Sequence, residues 1–311
     1  MVVQIGLIGL GRWGKNYLRT CKNLSDCKIV MVADRSADRL NNLGDVRVCS
    51  DSGKVCSAED VDAVVIATPG STHAELAKEA LEAGKHVLVE KPIGFCAKEV
   101  EELVALAKKK GLVYMAGHLH LFNPAVQKVK ELLDSGRIGK VLYVHTHGSG
   151  NGPIREDMSA YWDYFPHDVT ILLYLLGKMP VGVKGEGNAF VHDGVEDVVE
   201  LKLFFSENVS SSSFASWLYP LKRREVVVVG EKGFVVFDDY AEEKVKVVDR
   251  EGKEEVVAVS GQPLGLQVEH FVGCVVEGKD PLSGGDQAVS VTKVLEAGQR
   301  SMEKDGCLVE L

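Results

Sequence analysis

The sequence has no Cys-x-x-Cys pair: its seven cysteines, at positions 21, 27, 49, 56, 96, 274 and 307, are odd in number and scattered. That pattern argues against a disulfide framework and a thiolate zinc site, and it fits a reducing, cytoplasmic setting. No apolar run approaches the roughly 18 residues that cross a bilayer, so no membrane partner is expected. The opening MVVQIGLIGL lacks a basic leader segment and passes straight into a glycine motif, which marks a first strand and not a signal peptide. Basic residues are in deficit. Lys and Arg total 36 against 45 Asp and Glu, a net charge of -9, which argues against nucleic acid as a partner. Low-complexity tracts and internal repeats are also missing, and 45% hydrophobic with 26% charged residues is an ordinary globular composition.

A chain of 311 residues is long enough for two domains, each with its own core. Apolar runs at Val2 to Ile8, Ile29 to Ala33, Ala63 to Ala67, Val87 to Val89 and Val113 to Ala116 read as buried parallel strands. Helical spacing fills Ala74 to Ala83 and Ala97 to Lys109, with Gly84 and Gly111 placed as left-handed caps. Strand alternating with helix predicts a doubly wound α/β domain over residues 1–118. Beyond it the pattern changes to α+β over residues 119–311. Helices are expected at Pro124 to Leu133 and near His167 to Leu176. Strands are expected at Val141 to His147, Val198 to Phe205, Ser210 to Leu218, Glu225 to Val229 and Phe234 to Phe237. Successive strands predict a mostly antiparallel, open-faced sheet with helices on one face. Two last helices, Gln267 to Val276 and Asp286 to Met302, are expected to pack back toward the first domain. Val199, Leu201, Leu203, Phe205, Val226 and Val228 are read as part of the open face, and Gly148 to Gly152 as a flexible loop.

The motif Gly9-Leu10-Gly11-Arg12-Trp13-Gly14 follows the first strand and opens a helix. Gly9 suits a tight turn, Gly11 the close approach of a pyrophosphate and Gly14 the packing of helix on strand. Asp34 ends the second strand, where a carboxylate accepts hydrogen bonds from a ribose and repels a 2'-phosphate, so NAD is favoured over NADP. Arg35 can stack on adenine or meet that phosphate. Thr68-Pro69 and Glu90-Lys91-Pro92 fall at carboxyl ends of parallel strands, where open α/β sheets bind ligands. His73 opens the next helix, either at the cofactor or as a packing or capping residue. Asp163 and His167, four apart, share a face if the turn between them is helical; Pro166, suited to a first helical position, makes an irregular entry the alternative. The pairs His118 with His120 and His145 with His147 are read as strand residues, some possible substrate-site linings, and no metal is expected.

GLGRWG, the strand-end Ala33 to Arg35, ATPGSTH, GKHVLVEKP and WDYFPHD occur in an order that resembles the Gfo/Idh/MocA oxidoreductases over essentially the whole chain. Segments at Gly11 to Arg19, Val129 to Lys140, Ile154 to Asp157, Trp162 to Asp168 and Ser216 to Arg224 look most like the family's UDP-N-acetylglucosamine and UDP-N-acetylglucosaminuronate 3-dehydrogenases. Leu121, before Phe122-Asn123-Pro124, replaces an arginine of such relatives.

The resemblance implies catalytic roles for Lys91, Asp163 and His167, with Gly9, Gly11, Arg12, Trp13, Gly14, Asp34, Arg35, Thr68, Pro69, His73, Glu90 and Lys91 at the dinucleotide. Asn123, Arg155 and Trp162 join Lys91, Asp163 and His167 on the substrate side. It implies hydride transfer from a sugar, nucleotide-sugar or polyol hydroxyl to NAD, and a homodimer or homotetramer built through the second domain's sheet. A glycosidase that oxidises its sugar transiently and a non-catalytic NAD-binding regulator are the alternatives. Intact Lys91, Asp163 and His167 weigh against the regulator.

Overall fold

The computed structural model describes residues 2–311. Strands β1 (Val3–Ile8), β2 (Cys27–Ala33), β3 (Arg47–Cys49), β4 (Ala63–Ile66), β5 (His86–Glu90) and β6 (Tyr114–Gly117) alternate with helices α1 (Arg12–Lys22), α2 (Ser52–Cys56), α3 (His73–Glu82) and α4 (Ala97–Lys110). Then follow α5 (Pro124–Asp134), β7 (Val141–Asn151), α6 (Ala160–Leu176), β8 (Gly182–Asn188), β9 (Val198–Phe204), β10 (Ser210–Ser216) and β11 (Leu218–Gly230). The remaining elements are β12 (Gly233–Asp238), β13 (Val245–Asp249), β14 (Glu254–Val257), α7 (Pro263–Glu277), α8 (Gly285–Met302) and β15 (Val309–Glu310). The chain divides into two compact units. One is the chain up to Leu119 with Pro263–Thr292, the other His120–Gln262 with Lys293–Leu311.

The first unit is the expected Rossmann fold. Its parallel strands take the order β3-β2-β1-β4-β5-β6, so the chain's direction of travel across the sheet reverses at β1. Burial on both faces explains the unbroken apolar runs: Ile5, Leu7, Val64, Val65, Val87, Leu88 and Val89 are at most 1% exposed. Gly84 and Gly111 have φ of 81° and 66°, the left-handed geometry predicted after α3 and α4. β6 lies at the edge of the sheet, and Ser283 covers it. The Ala116 amide donates to the Ser283 carbonyl at 2.8 Å, and Ser283 Oγ donates to the Ala116 carbonyl at 2.7 Å.

The second unit is a nine-stranded sheet of order β14-β13-β12-β11-β7-β10-β9-β8-β15, antiparallel except where β10 runs parallel to β7. Here three expectations need correction. Val199, Leu201, Leu203, Val226 and Val228 lie on the face covered by helices and are at most 1% exposed, while Glu200 and Lys202 face outward. The strand period of two sends one alternating set to the core, and α6 packs against β7, β9 and β10. Gly148 to Asn151 are strand, paired with β11, and the flexible loop is not there. Gly148 makes room: a Cβ there would stand 3.0 Å from both Arg224 Nη1 and Tyr164 Cδ1. Finally, α6 begins at Ala160, so Pro166 sits inside the helix instead of at its first position.

Arg224 reaches through that space to Asp168 at 2.9 Å, with side-chain exposures of 9% and 0%. A buried pair of this kind costs most when one member is removed, because the other keeps its charge without a counter-ion. Arg224→Met should therefore destabilise the protein by about 3–5 kcal/mol. Adding Asp168→Leu should recover most of that loss. Urea unfolding followed by tryptophan fluorescence checks both, and an Arg224→Met variant as stable as the parent would show the pair to be dispensable.

Candidate active site

The glycine motif lies in the loop between β1 and α1, where the strand order turns. Gly9 has φ of 94°, and a Cβ on it would stand 2.6 Å from the Ala67 carbonyl oxygen. At Gly14 a Cβ would collide with the Gly9 carbonyl oxygen, so only glycine lets α1 sit this close to the strand end. At Gly11 a Cβ would meet no protein atom within 4 Å. Gly9 and Gly14 are demanded by the protein itself; Gly11 opens onto space at the amino end of an 11-residue helix with no acidic residue in its first turn. That combination fits a pyrophosphate. Arg12 is exposed and Trp13 half-buried beside it.

Asp34 is more engaged than its expected ribose role required. Its Oδ2 accepts from the Leu10 amide at 2.7 Å and its Oδ1 from the Ser36 amide at 2.8 Å, while Arg39 Nη1 lies 3.4 Å from Oδ2. Burial opposes its charge, but the Ser36 and Leu10 amides with Arg39 outweigh burial and hold Asp34 below the ordinary carboxylate value. Asp34 thus fixes the glycine loop from the tip of β2. Arg35, the neighbour singled out in the sequence, is exposed.

At the ends of β4 and β5, His73 is the link. The ring is 1% exposed, with Nδ1 2.7 Å from the Pro92 carbonyl oxygen and Nε2 2.8 Å from that of Thr68. Burial lowers its pKa, against the pull of the two carbonyls. Both ring nitrogens face backbone carbonyls, and the neutral ring donates to one of the two, in line with the packing alternative considered for this residue. Glu90 is likewise internal: Oε1 accepts from Tyr17 Oη at 2.7 Å, Oε2 from the Lys91 amide at 3.3 Å, and burial raises its pKa. The Lys91-Pro92 bond is cis. Thr68 is half-buried, its hydroxyl 2.7 Å from that of Thr72, and Pro69 is exposed. His118 and His120 lie just beyond β6, the latter in a 3-10 turn over Leu119–Phe122, and not on a strand as expected. Burial takes the His118 imidazole down to about 4, and its Nδ1 is 2.7 Å from Gln287 Oε1.

In the second unit α6 is helical from Ala160, so Asp163 and His167 stand on one face, one turn apart. Arg155 meets Asp157 through two contacts at 2.8 and 2.6 Å and approaches Asp163 at 3.9 Å. The Arg155 guanidinium holds Asp157 below the ordinary carboxylate range. Trp162 is 7% exposed, its indole N–H donating to Gln299 Oε1 at 3.2 Å. Asn123 caps α5, accepting from the Ala125 amide at 3.0 Å, and donates to Asp239 at 3.2 Å. Leu121 is 1% exposed, a core residue. No motif points to Asp239, which lies 116 residues from Asn123 and is brought beside it only by the fold. The Asp168–Arg224 pair, 56 residues apart, was missed for the same reason. Among the described residues no group of three His, Cys, Asp or Glu could hold a metal, and no helix is long and apolar enough to cross a membrane.

Residues 3–118 match the family model described as "Oxidoreductase family, NAD-binding Rossmann fold", and residues 126–236 match that of the GFO/IDH/MocA C-terminal domain. A crystal structure from Magnetospirillum magnetotacticum MS-1, described as an oxidoreductase, shares 35% identity and a TM-score of 0.88 over 96% of this chain and 99% of that one. The 2,7-anhydro-N-acetylneuraminate hydratase of Mediterraneibacter gnavus is 30% identical over 76% of this chain and 67% of its own length. The scyllo-inositol 2-dehydrogenase (NAD(+)) of Bacillus subtilis is 28% identical over 90% and 88%.

The glycines separate binding from folding. Gly11→Ala should leave stability within about 1 kcal/mol and weaken NAD binding at least tenfold. Gly14→Ala should cost about 1–3 kcal/mol of stability through the forced displacement of α1. Thermal unfolding and calorimetric titration with NAD read the two effects; undiminished binding by Gly11→Ala would remove the pyrophosphate from this loop.

Proposed function

The chain belongs to the Gfo/Idh/MocA oxidoreductases, and from that premise we propose that it oxidises a secondary hydroxyl of a sugar, nucleotide-sugar or polyol with NAD. The observation that carries this reading is the open approach at Gly11 on a loop where every other glycine is required by the protein itself. NAD is favoured over NADP because the Asp34 carboxylate stays charged at the tip of β2 and repels a 2'-phosphate. When bound, the nicotinamide supplies the hydride acceptor.

The protein's part in the chemistry falls to three side chains. His167 takes the proton of the hydroxyl, the general-base task for which enzymes most often use an imidazole. Lys91, at the end of β5, offers an ammonium to the alkoxide as it develops. Asp163, one turn before His167, either stabilises the imidazolium or accepts from a neighbouring hydroxyl. Among substrates the 3-position of a UDP-amino sugar is favoured, on the likeness of the segments around Trp162 to Asp168 and Ser216 to Arg224. Within the second of these, Arg224 serves the internal pair with Asp168, which leaves Lys222 and Arg223 as the exposed cations for a diphosphate.

A second reading has an observation of its own. The Mediterraneibacter gnavus relative is named as a hydratase, and adding water changes no net oxidation state. A transient oxidation followed by elimination or addition and re-reduction would use the same three residues and release no NADH. We also propose self-association through the open face of the second unit's sheet, where Tyr143 is 48% exposed. Sedimentation analysis showing a monomer at all concentrations would exclude it.

The deciding assay incubates the protein with NAD and UDP-N-acetylglucosamine, its uronate, inositols or free sugars, following the absorbance of reduced nicotinamide. A rise with one class identifies the dehydrogenase and its substrate group. Substrate turnover without that rise selects the second reading. His167→Ala and Lys91→Ala should each lower kcat by about 100-fold or more while NAD still binds; unchanged turnover in either would remove that residue from the mechanism.

A further inference from the structure

The sequence pointed to Asp163 as the partner of His167, but the fold supplies another neighbour. The His120 ring lies with its centroid 4.8 Å from that of His167, the two planes at 83°. His120 is 8% exposed and belongs to the 3-10 turn that leads into α5. The same turn is tied to Asp239: the Asn123 amide donates to the His120 carbonyl at 3.2 Å, and Asn123 Nδ2 donates to Asp239 Oδ1 at 3.2 Å. Lys244 Nζ reaches the same Asp239 oxygen at 3.0 Å. Burial opposes the Asp239 charge, yet Lys244, His120 and Asn123 together hold its carboxyl below the ordinary value.

An edge-to-face pair of imidazoles accommodates one positive charge well and two badly. A protonated ring gains from the π-face of a neutral neighbour, whereas two charged rings repel. The Asp239 carboxylate, which His120 affects electrostatically, adds to that stabilisation.

We propose that His120 and Asp239 are positioning residues for His167, forming a relay in which the two neutral imidazoles take up one further proton and Asp239 stabilises its charge. This rests on the reading of His167 as the group that takes the hydroxyl proton. That proton moves from the alcohol oxygen to His167, the positive charge it brings is shared with the His120 ring, and Asp239 keeps its negative charge throughout. Asp163, 3.9 Å from Arg155, and Asp168, paired with Arg224, are the charged groups on α6 with His167.

NMR titration of histidine-labelled protein, without substrate or dinucleotide, tests the relay independently of catalysis, with His120→Phe assigning the signals. Asp239→Asn should move the His167 midpoint to lower pH, because the imidazolium loses a carboxylate. Lys244→Met should move it to higher pH, because Asp239 is then shared with one cation fewer. Each shift should be about half a unit to one unit. His120→Phe should turn a two-step titration into a single step. Lys244 is 39% exposed, so its replacement leaves the core intact if Asp239→Asn disturbs the α5 cap. Unmoved midpoints, or a Lys244→Met shift to lower pH, would overturn the relay. The acidic limb of kcat/KM should follow the midpoints; midpoints that move as stated while His167→Ala remains fully active would keep the relay and discard His167 as the base.

Discussion

The contact between the Gly9 carbonyl and Gly14 sets the distance from the end of β1 to the start of α1, and the first unit is arranged around it. With α1 held that near, Tyr17 lies fully buried and its hydroxyl reaches Glu90 at the end of β5. Asp34 then closes the loop from the other side through the Leu10 amide. The tips of β1, β2 and β5 are thereby joined through side chains as well as through the ladder. His73 adds the tip of β4 by holding the Thr68 and Pro92 carbonyls. A ligand at the turn of strand order meets a rim whose polar groups are already oriented, which limits the ordering that binding must impose.

The second unit solves a different problem, that of burying charge under a sheet. Arg224 and Asp168 satisfy one another across the space left by Gly148, and the Arg224 guanidinium lies 5.5 Å from the Tyr164 ring centroid. Asp197 does similar work elsewhere, accepting from the Trp217 indole and from the Phe190 and Val191 amides. Asp168 belongs to one of the quoted segments and Asp197 accepts from Trp217 of another, so internal charge satisfaction occupies the same stretches as the motifs.

What could be read in advance followed from local rules. The doubly wound half was legible because strands buried on both faces leave continuous apolar runs and because Gly84 and Gly111 punctuate the helices. Short or exposed strands such as β3, β8 and β14 left no such run and escaped notice. Alternation identified β9 and β11 as strands but not which face meets the helices, since period two is blind to the side on which a helix lands. The Gly148 stretch was misread because composition cannot tell a glycine that moves from one that makes room. Of the candidate site, the glycine loop and the Asp163 to His167 spacing were visible. His120 with Asp239 depends on tertiary placement that no spacing records, whereas Arg39 meets Asp34 across only five residues.

Ser283 completes the edge of a sheet whose strands all precede residue 118, so the first unit is not finished by its own stretch of chain. During synthesis the ribosome delivers the six strands long before Pro263–Thr292 emerges. Until then the β6 edge and the surface awaiting α7 are uncovered, while the whole of the other unit's sheet except β15 is being translated. Maturation of the dinucleotide half is therefore timed by the translation of Pro263–Thr292, and a nascent chain arrested before it exposes an unpaired strand edge to any chaperone or neighbouring chain that can reach it.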